Sequence, residues 1–436
     1  MELTEDQQLI FDEYIKGSNI FITGPGGCGK SFIIKKIVQH AQENNKKISV
    51  CALTGCASVL LDCGATTLHS WAGIGLAKGE INHIVDRIKT NKYKKKKWLE
   101  NDILIIDEVS MMSKYLFELL DSIGKNVKKS PKPFGGLQLI FSGDFYQLPP
   151  VGSKDNEDSK LFCFESLLWD ITFDYQILLD KTFRQKDPTY INILNSIREG
   201  HITNNINKIL KKQINKENKS DIKPIVLYPV KKKVNNINNE KLEELETREE
   251  KYVYEKKYEP YMKGQNSPTK QQLEYEEKYI LSNALFEEEL ILKIGCQVMC
   301  IKNIDLEKGI CNGTTGIIVD FDKDRNPKVK LKNGEIYTFK RESWESENIP
   351  GFTLNQIPLI LAWAVTIHKS QGATLDCAEV DIGNNIFSEG QTYVALSRIK
   401  SLDGLFIKSY NPNRIKVNKK AKLFYERFYG DSEDEE

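Results

Sequence analysis

Apolar and polar positions divide this chain into compact apolar runs separated by helical patterns. Residues 19–23 (NIFIT), 47–53, 102–106 (DILII), 138–142 and 175–179 read as strands, and the 102–106 run is apolar enough for burial on both faces. Between the first two, Ile33, Ile34, Ile37 and Val38 recur at helical spacing and mark one apolar helix face. This alternation predicts an α/β fold, a parallel sheet with helices on both sides, over residues 1–180. A second αβ unit begins near Pro224-Ile225-Val226-Leu227-Tyr228. From residue 312 the period changes to two. Runs at 317–321, 328–331 and 336–339, punctuated by Gly313, Gly316 and Asn333-Gly334, predict a small antiparallel barrel. The αβ pattern then resumes, with apolar runs at 359–365 and 378–382.

Polar segments complete the layout. Residues 240–278 are dense in Glu, Lys and Tyr and read as a charged, partly helical, mobile surface region. Lysines crowd 92–97, a run that is more simply a solvated face than a nucleic-acid contact. The tail 431–436 is acidic, and disorder is expected there.

Composition narrows the class only modestly. At 436 residues, 40% hydrophobic and 28% charged, the chain has the balance of a globular protein with room for two to four domains. A net charge of +1 means that any basic surface is local. No apolar stretch approaches a membrane span, so no membrane role is expected. The start, Met1-Glu2-Leu3-Thr4-Glu5-Asp6, is unlike a signal peptide or a mitochondrial presequence. The nine cysteines include no C-x-x-C pair and read as buried, reduced thiols of an intracellular protein. No spacing supports Cys56 with Cys63, or Cys296 with Cys300, as metal ligands.

The chemistry starts at GPGGCGKS, residues 24–31. It follows an apolar strand and precedes a helix, the context in which G-x-x-x-x-G-K-[ST] is a phosphate-binding P-loop. Gly24, Pro25, Gly26, Gly27, Cys28 and Gly29 would form the turn that aims backbone N–H groups at phosphate oxygens. Lys30 would reach the β- and γ-phosphates, and Ser31 would ligate Mg2+. The 102–106 strand ends in Asp107-Glu108, at the strand end where α/β sheets bind ligands. Asp107 would hold the magnesium and Glu108 would activate the attacking water. Together these residues imply hydrolysis of ATP or a related nucleotide.

Four residues extend this site. Gln7 offers an amide that can read an adenine edge. Gln147, in SGDFYQLPPV (142–151), can touch the γ-phosphate. Arg184 in TFRQ and Arg398 in QTYVALSRIK can act as arginine fingers, although each taken alone reads more simply as a surface ion pair. For single-stranded nucleic acid, Thr66, Thr67, His69, Ser70 and Trp71 on one loop, and His368, Lys369 and Ser370 on another, mix hydroxyl, cationic and aromatic groups. Trp71 and Trp363 are equally readable as core.

These motifs together resemble the Pif-type (petite integration frequency) DNA helicases of superfamily 1B over nearly the whole chain. The matching stretches are LTEDQ, GPGGCGKS, ALTGCASVLLDCGATTLHSWAGIG (52–75), IIDEVSMM (105–112), KPFGGLQLIFSGDFYQLPPV (132–151), TFRQ, AVTIHKSQGATLD (364–376) and YVALSRI. The stretch 112–138 resembles this family's own signature and separates it from RecD-like relatives. Cys28 departs from the threonine that many members carry.

The resemblance implies two tandem RecA-like P-loop domains. The first would span 1–180 with a wedge insertion near 78–100; the second would span 181–313 and 356–430, with a small SH3-like β-barrel inserted at 314–355. It implies that Gln7, Lys30, Ser31, Asp107, Glu108, Gln147, Arg184 and Arg398 form an ATP and Mg2+ site between the domains. It implies that Thr54, His69, Ser70, His368, Lys369 and Ser370 line a single-strand channel. The implied activity is 5′ to 3′ translocation on single-stranded DNA by a monomeric motor that unwinds forked duplexes, RNA–DNA hybrids and G-quadruplexes in genome maintenance. The expected location is the nucleus or a viral replication site for a eukaryotic or viral chain, and the cytoplasm for a bacterial one. Two other classes remain open: an oligomeric P-loop remodelling ATPase with a finger supplied in trans, and a nucleotide-gated DNA-binding protein.

Overall fold

The computed structural model describes residues 3–61, 63–75, 77, 79–153, 156–214, 216–217, 223–259, 267–305, 308–346, 349, 351–367, 370 and 373–428. Contacts divide the chain into two units, Met1–Ile206 with Phe387–Ser397 and Pro412–Glu436, and Asn207–Ile386 with Arg398–Asn411. The first therefore runs past residue 180 and takes back two segments from near the end of the chain.

The first unit is built on six parallel strands in the spatial order Thr66–Thr67, Ile48–Ala52, Ile103–Asp107, Gln138–Gly143, Ile20–Thr23, Tyr175–Leu178. Every residue of Ile20–Thr23 and Ile103–Asp107 is buried, which is why their sequences show no alternation. The faces still differ by parity. Ile20, Ile22, Ile103, Ile105 and Ile140 pack with Ile33, Ile34, Ile37 and Val38 of the helix Lys30–Glu43. Phe21, Leu104, Ile106, Leu139 and Phe141 face a second, aromatic core with Phe117, Phe134, Trp169 and Phe173. The helix Lys419–Glu426 adds Phe424 and Tyr425 to that aromatic core.

A buried ion pair anchors this second face. Arg198 Nε and Nη2 donate to the two Asp144 carboxylate oxygens at 3.0 and 2.9 Å, with Asp144 0% and Arg198 3% exposed. The Tyr425 hydroxyl donates to Asp144 Oδ1 at 3.3 Å and accepts from the Phe145 amide at 3.0 Å. Burial, with Asp144 beside it, pushes the Tyr425 phenol well above its ordinary value, so it stays a donor. The Arg198 guanidinium lies over the rings of Tyr146 and Tyr425 at 4.6 and 5.0 Å. Arg198→Met leaves a buried carboxylate without its cation and is expected to destabilise the first unit by about 3–5 kcal/mol. Urea unfolding followed by tryptophan fluorescence checks this; a loss under about 1 kcal/mol contradicts it.

The second unit has four parallel strands in the order Ala364–Thr366, Ile225–Tyr228, Ala378–Ile382, Leu405–Tyr410. It also has a five-stranded antiparallel sheet, Ile336–Thr338, Pro327–Leu331, Thr315–Phe321, Gln297–Cys300, Leu359–Leu361. The apolar run 359–365 is thus two strands in two sheets, with Ala362 N donating to Gln297 O at 2.8 Å where the chain passes from one to the other.

The antiparallel part also reaches well outside 314–355. Glu249–Val253 pairs with Glu289–Lys293, and Glu255–Tyr258 pairs with Phe352–Gln356. Tyr252, Leu290 and Leu292 enter the same core as Ile318, Val329 and Phe339. The region read as charged surface therefore holds two strands and the helix Lys270–Asn283; residues 260–266 of it, like the tail 431–436, lie outside the described residues.

Candidate functional site

The strand Ile20–Thr23 sits inside the first unit's sheet and leads into the turn 24–29 and the helix Lys30–Glu43. Two glycines are required there twice over. Gly27 and Gly29 have φ of +86° and +94°, which L side chains avoid. A Cβ at Gly27 would lie 2.5 Å from Arg184 Cβ, and one at Gly29 would lie 2.5 Å from Gln7 Nε2. The turn is therefore packed directly against Arg184 and Gln7. The Phe183 amide donates to Gly27 O at 2.8 Å and fixes the same approach.

Two donors of the turn, Lys30 Nζ and the Gly26 amide, have acceptors within the protein. Lys30 Nζ donates to the Gly24 and Pro25 carbonyls at 2.7 and 3.0 Å and lies 3.6 Å from Cys28 Sγ. The Gly26 amide donates to the Tyr393 hydroxyl at 2.8 Å. Gln7 has a structural duty as well: its Oε1 accepts from the Thr4 amide while Thr4 Oγ1 accepts from the Gln7 amide, a reciprocal cap on the helix Glu5–Lys16. Its Nε2 end is the one against Gly29.

Two strands away, Asp107 closes Ile103–Asp107 and is buried. Burial pushes its carboxyl above the ordinary aspartate value, while the Ser142 hydroxyl, the Glu108 amide and Lys30 pull it back. Ser31 and Asp107 offer hard oxygen donors, the kind that suits magnesium. Glu108 has φ +57° and ψ +39°, a left-handed conformation that costs a non-glycine residue roughly 1–2 kcal/mol. Such strain is kept where a side chain has to be aimed.

Gln147 lies in a tight turn after Gln138–Gly143, its amide donating to Asp144 O at 2.8 Å. Its side chain is buried, and Oε1 has no hydrogen-bond partner among the described residues. Arg184 Nη1 donates to Ser397 O at 3.0 Å. Arg398, the next residue, is counted in the second unit, where its carbonyl accepts from the Leu375 amide at 2.9 Å.

A strained carboxylate, a buried acidic strand end and a glycine turn with a lysine form a site able to hold a nucleotide's phosphates and hydrolyse the last of them. The family model for PIF1-like helicases matches residues 2–218, and that for the 2B domain of DNA helicase Pif1 matches residues 276–321. The ATP-dependent DNA helicase PIF1 of Danio rerio is 35% identical over 431 residues, 98% of this chain and 64% of that protein. The ATP-dependent DNA helicase Pif1 of Bdellovibrio bacteriovorus is 33% identical over 99% of this chain and 93% of that protein. The chain belongs to the PIF1-like helicase family. The crystal structure of Pif1 helicase from Bacteroides in complex with ADP-AlF3 and ssDNA superposes with a TM-score of 0.66 at 30% identity, covering 99% of this chain and 98% of that one. The two parallel sheets are accordingly the tandem RecA-like domains of a Pif1 fold. This chain spans 61 to 64% of the length of the zebrafish, Emericella nidulans and Xenopus laevis PIF1 proteins.

Against that family frame, the expected DNA-lining residues divide. Thr54 follows the strand Ile48–Ala52, and His69 and Ser70 follow the adjacent Thr66–Thr67, so all three lie at the C-terminal ends of neighbouring strands. Burial pushes the His69 imidazole below its ordinary value, favouring the neutral form. Ser370 is different: it is fully buried and its hydroxyl donates to Ile367 O at 2.8 Å, so it closes a turn and presents no hydroxyl to a strand. His368 and Lys369 lie outside the described residues. Trp71 is core, 4.6 Å from Trp98 in the first unit, and Trp363 packs on the core of the second. The wedge stretch 78–100 holds the helices Ile81–Thr90 and Lys92–Glu100, which bury Ile84, Val85, Ile88 and Trp98. The lysines of the second flank Tyr93, 85% exposed. The residue missed in the sequence is Tyr393: it stands in a stretch that carries the resemblance, but nothing in its spacing ties it to residue 26.

Proposed function

We propose that this chain is an ATP-driven DNA helicase motor that moves 5′ to 3′ along single-stranded DNA. The observation that carries the reading is the assembly, in one unit, of the 24–31 turn, the strained Glu108 beside buried Asp107, and Gln147. In this reading the amides of 24–29 and Lys30 bind the phosphates, and Gln7 takes the adenine edge through Nε2. Ser31 and Asp107 would hold magnesium, which when bound neutralises charge on the β- and γ-phosphates. Glu108 orients and deprotonates the attacking water, Gln147 Oε1 accepts from that water, and Arg184 and Arg398 stabilise charge on the transferred phosphoryl group. Thr54, His69 and Ser70 of the first unit, with His368 and Lys369 of the second, hold the strand's phosphates and bases. Forked duplexes, RNA–DNA hybrids and G-quadruplexes are the obstacles such a motor clears, acting as a monomer; the antiparallel insert of the second unit is its small SH3-like barrel.

ATP hydrolysis is expected to be slow alone and to rise many-fold with single-stranded DNA, with affinity falling with salt by roughly 0.7 log units per log unit for each phosphate neutralised. Unwinding is expected on substrates with a 5′ tail. His69→Ala is expected to reduce DNA stimulation and spare basal turnover. Steady-state ATPase and strand-displacement assays check both. Indifference to DNA, or unwinding from 3′ tails alone, overturns the reading.

A further inference from the structure

The helix Gln391–Ser397 is buried at every residue and belongs to the first unit. Its start lies on the turn that carries Gln147: a Cβ at Gly390 would fall 2.4 Å from Gln147 O and 2.5 Å from Tyr146 O. Its end is fastened through two carbonyls. Leu396 O accepts from the Tyr190 hydroxyl at 2.8 Å; Ser397 O accepts from Arg184 at 3.0 Å and Gln185 at 3.1 Å. Between these anchors Tyr393, 2% exposed, accepts the Gly26 N–H at 2.8 Å.

That bond has a chemical consequence. Amides of a phosphate-binding turn are the donors a phosphate oxygen takes. A phenol oxygen and a phosphate oxygen cannot both hold the single proton of Gly26. The Tyr393 ring is buried in the first unit, and its hydroxyl accepts from a backbone donor of the 24–29 turn. We propose that Tyr393 is a latch displaced by the nucleotide's phosphates: its hydroxyl holds the Gly26 amide, phosphate takes that amide, and loss of this bond loosens the helix Gln391–Ser397, which continues directly into Arg398. This rests on reading 24–31 as the phosphate site. The latch competes with nucleotide and so sets nucleotide affinity.

The test is Tyr393→Phe, which keeps the ring and removes the competitor. ADP is expected to bind about three- to tenfold more tightly, the net worth of one neutral hydrogen bond. A merely structural contact has the opposite sign, since its loss weakens the site. Tyr190→Phe removes a hydroxyl from the same helix at Leu396 O and is expected to leave ADP affinity unchanged. Titration calorimetry with ADP, and melting temperatures of both variants, read these outcomes. ADP affinity within twofold of wild type or weaker for Tyr393→Phe overturns the latch, as does equal tightening by Tyr190→Phe. If Tyr393→Phe melts early, the wild-type protein decides: amide exchange across 391–397 must quicken when ADP is added, and no change overturns the proposal. Lys30→Ala separates the two levels, because wild-type ADP affinity in that variant would sink the phosphate-site reading itself.

Discussion

Glutamine in place of Glu108 is expected to leave ATP bound and to stop its hydrolysis. A positioned general base contributes roughly a hundred- to ten-thousandfold, so kcat is expected to fall by at least about a hundredfold while ATP affinity moves less than about threefold. The reason is local. Glu108 stands one residue past a strand buried throughout, and its left-handed backbone turns it away from the direction the strand would have set. Glutamine keeps the size and the polar tip but cannot take a proton. Lys30→Ala is the counterpart: it removes a cation from the phosphate turn, so it is expected to weaken ATP binding first and turnover as a result. Single-turnover hydrolysis beside equilibrium binding separates the two variants. A Glu108→Gln protein that hydrolyses ATP at the wild-type rate would remove the carboxylate from the chemistry.

The arginines carry the second large effect. Arg184→Ala and Arg398→Ala are each expected to lower kcat by about a thousandfold or more, with much smaller changes in nucleotide affinity, since such side chains act on charge that develops only in the transition state. The two need not behave alike outside that step. Arg184 already holds Ser397 O, so its loss also releases one of the bonds at the end of the helix Gln391–Ser397, while alanine keeps the Cβ that packs beside Gly27. Arg398 is buried and has its main chain paired with Leu375, so its replacement acts on the second unit. Equimolar mixing of the two variants is expected to restore nothing, because both arginines serve the site of their own chain. Recovery of activity on mixing would place a finger in trans and favour an oligomeric remodelling ATPase.

The phosphate turn was legible because its chemistry dictates the residues: glycines where φ is positive, a lysine and a serine at the helix start. The central strands were legible because burial on both faces leaves no polar position in Ile103–Ile106 to misread. The strand Glu249–Val253 was not, since Tyr252 enters the core while Glu249, Glu250 and Lys251 carry the surface charges that suggested a solvated segment. The run 359–365 hid a change of sheet because both destinations are apolar. Gln7 was read for its amide, but sequence could not show that its oxygen is spent on the helix cap. Ser370 was read for a hydroxyl offered to single-stranded nucleic acid, and only packing reveals that this one donates to Ile367 O. The return of 387–397 and 412–428 to the first unit rests on partners hundreds of positions apart, such as Tyr425 with Asp144 at a separation of 281 residues, which periodicity cannot report.

The same separation bears on how the molecule is made. Thr23, the residue before the phosphate turn, lies 2.5 Å from Tyr425 Oη, and Phe424 packs on Phe21 and Phe145. On a ribosome the turn emerges first and the helix that closes its support emerges some four hundred residues later. Until then Asp144 and Arg198 face each other without the tyrosine that caps them, and the aromatic layer stands open on one side. Domains usually finish in the order they are synthesised. Here Thr23 waits for a tyrosine 402 positions later in the chain, so the support of the 24–31 turn is completed long after the turn itself is made.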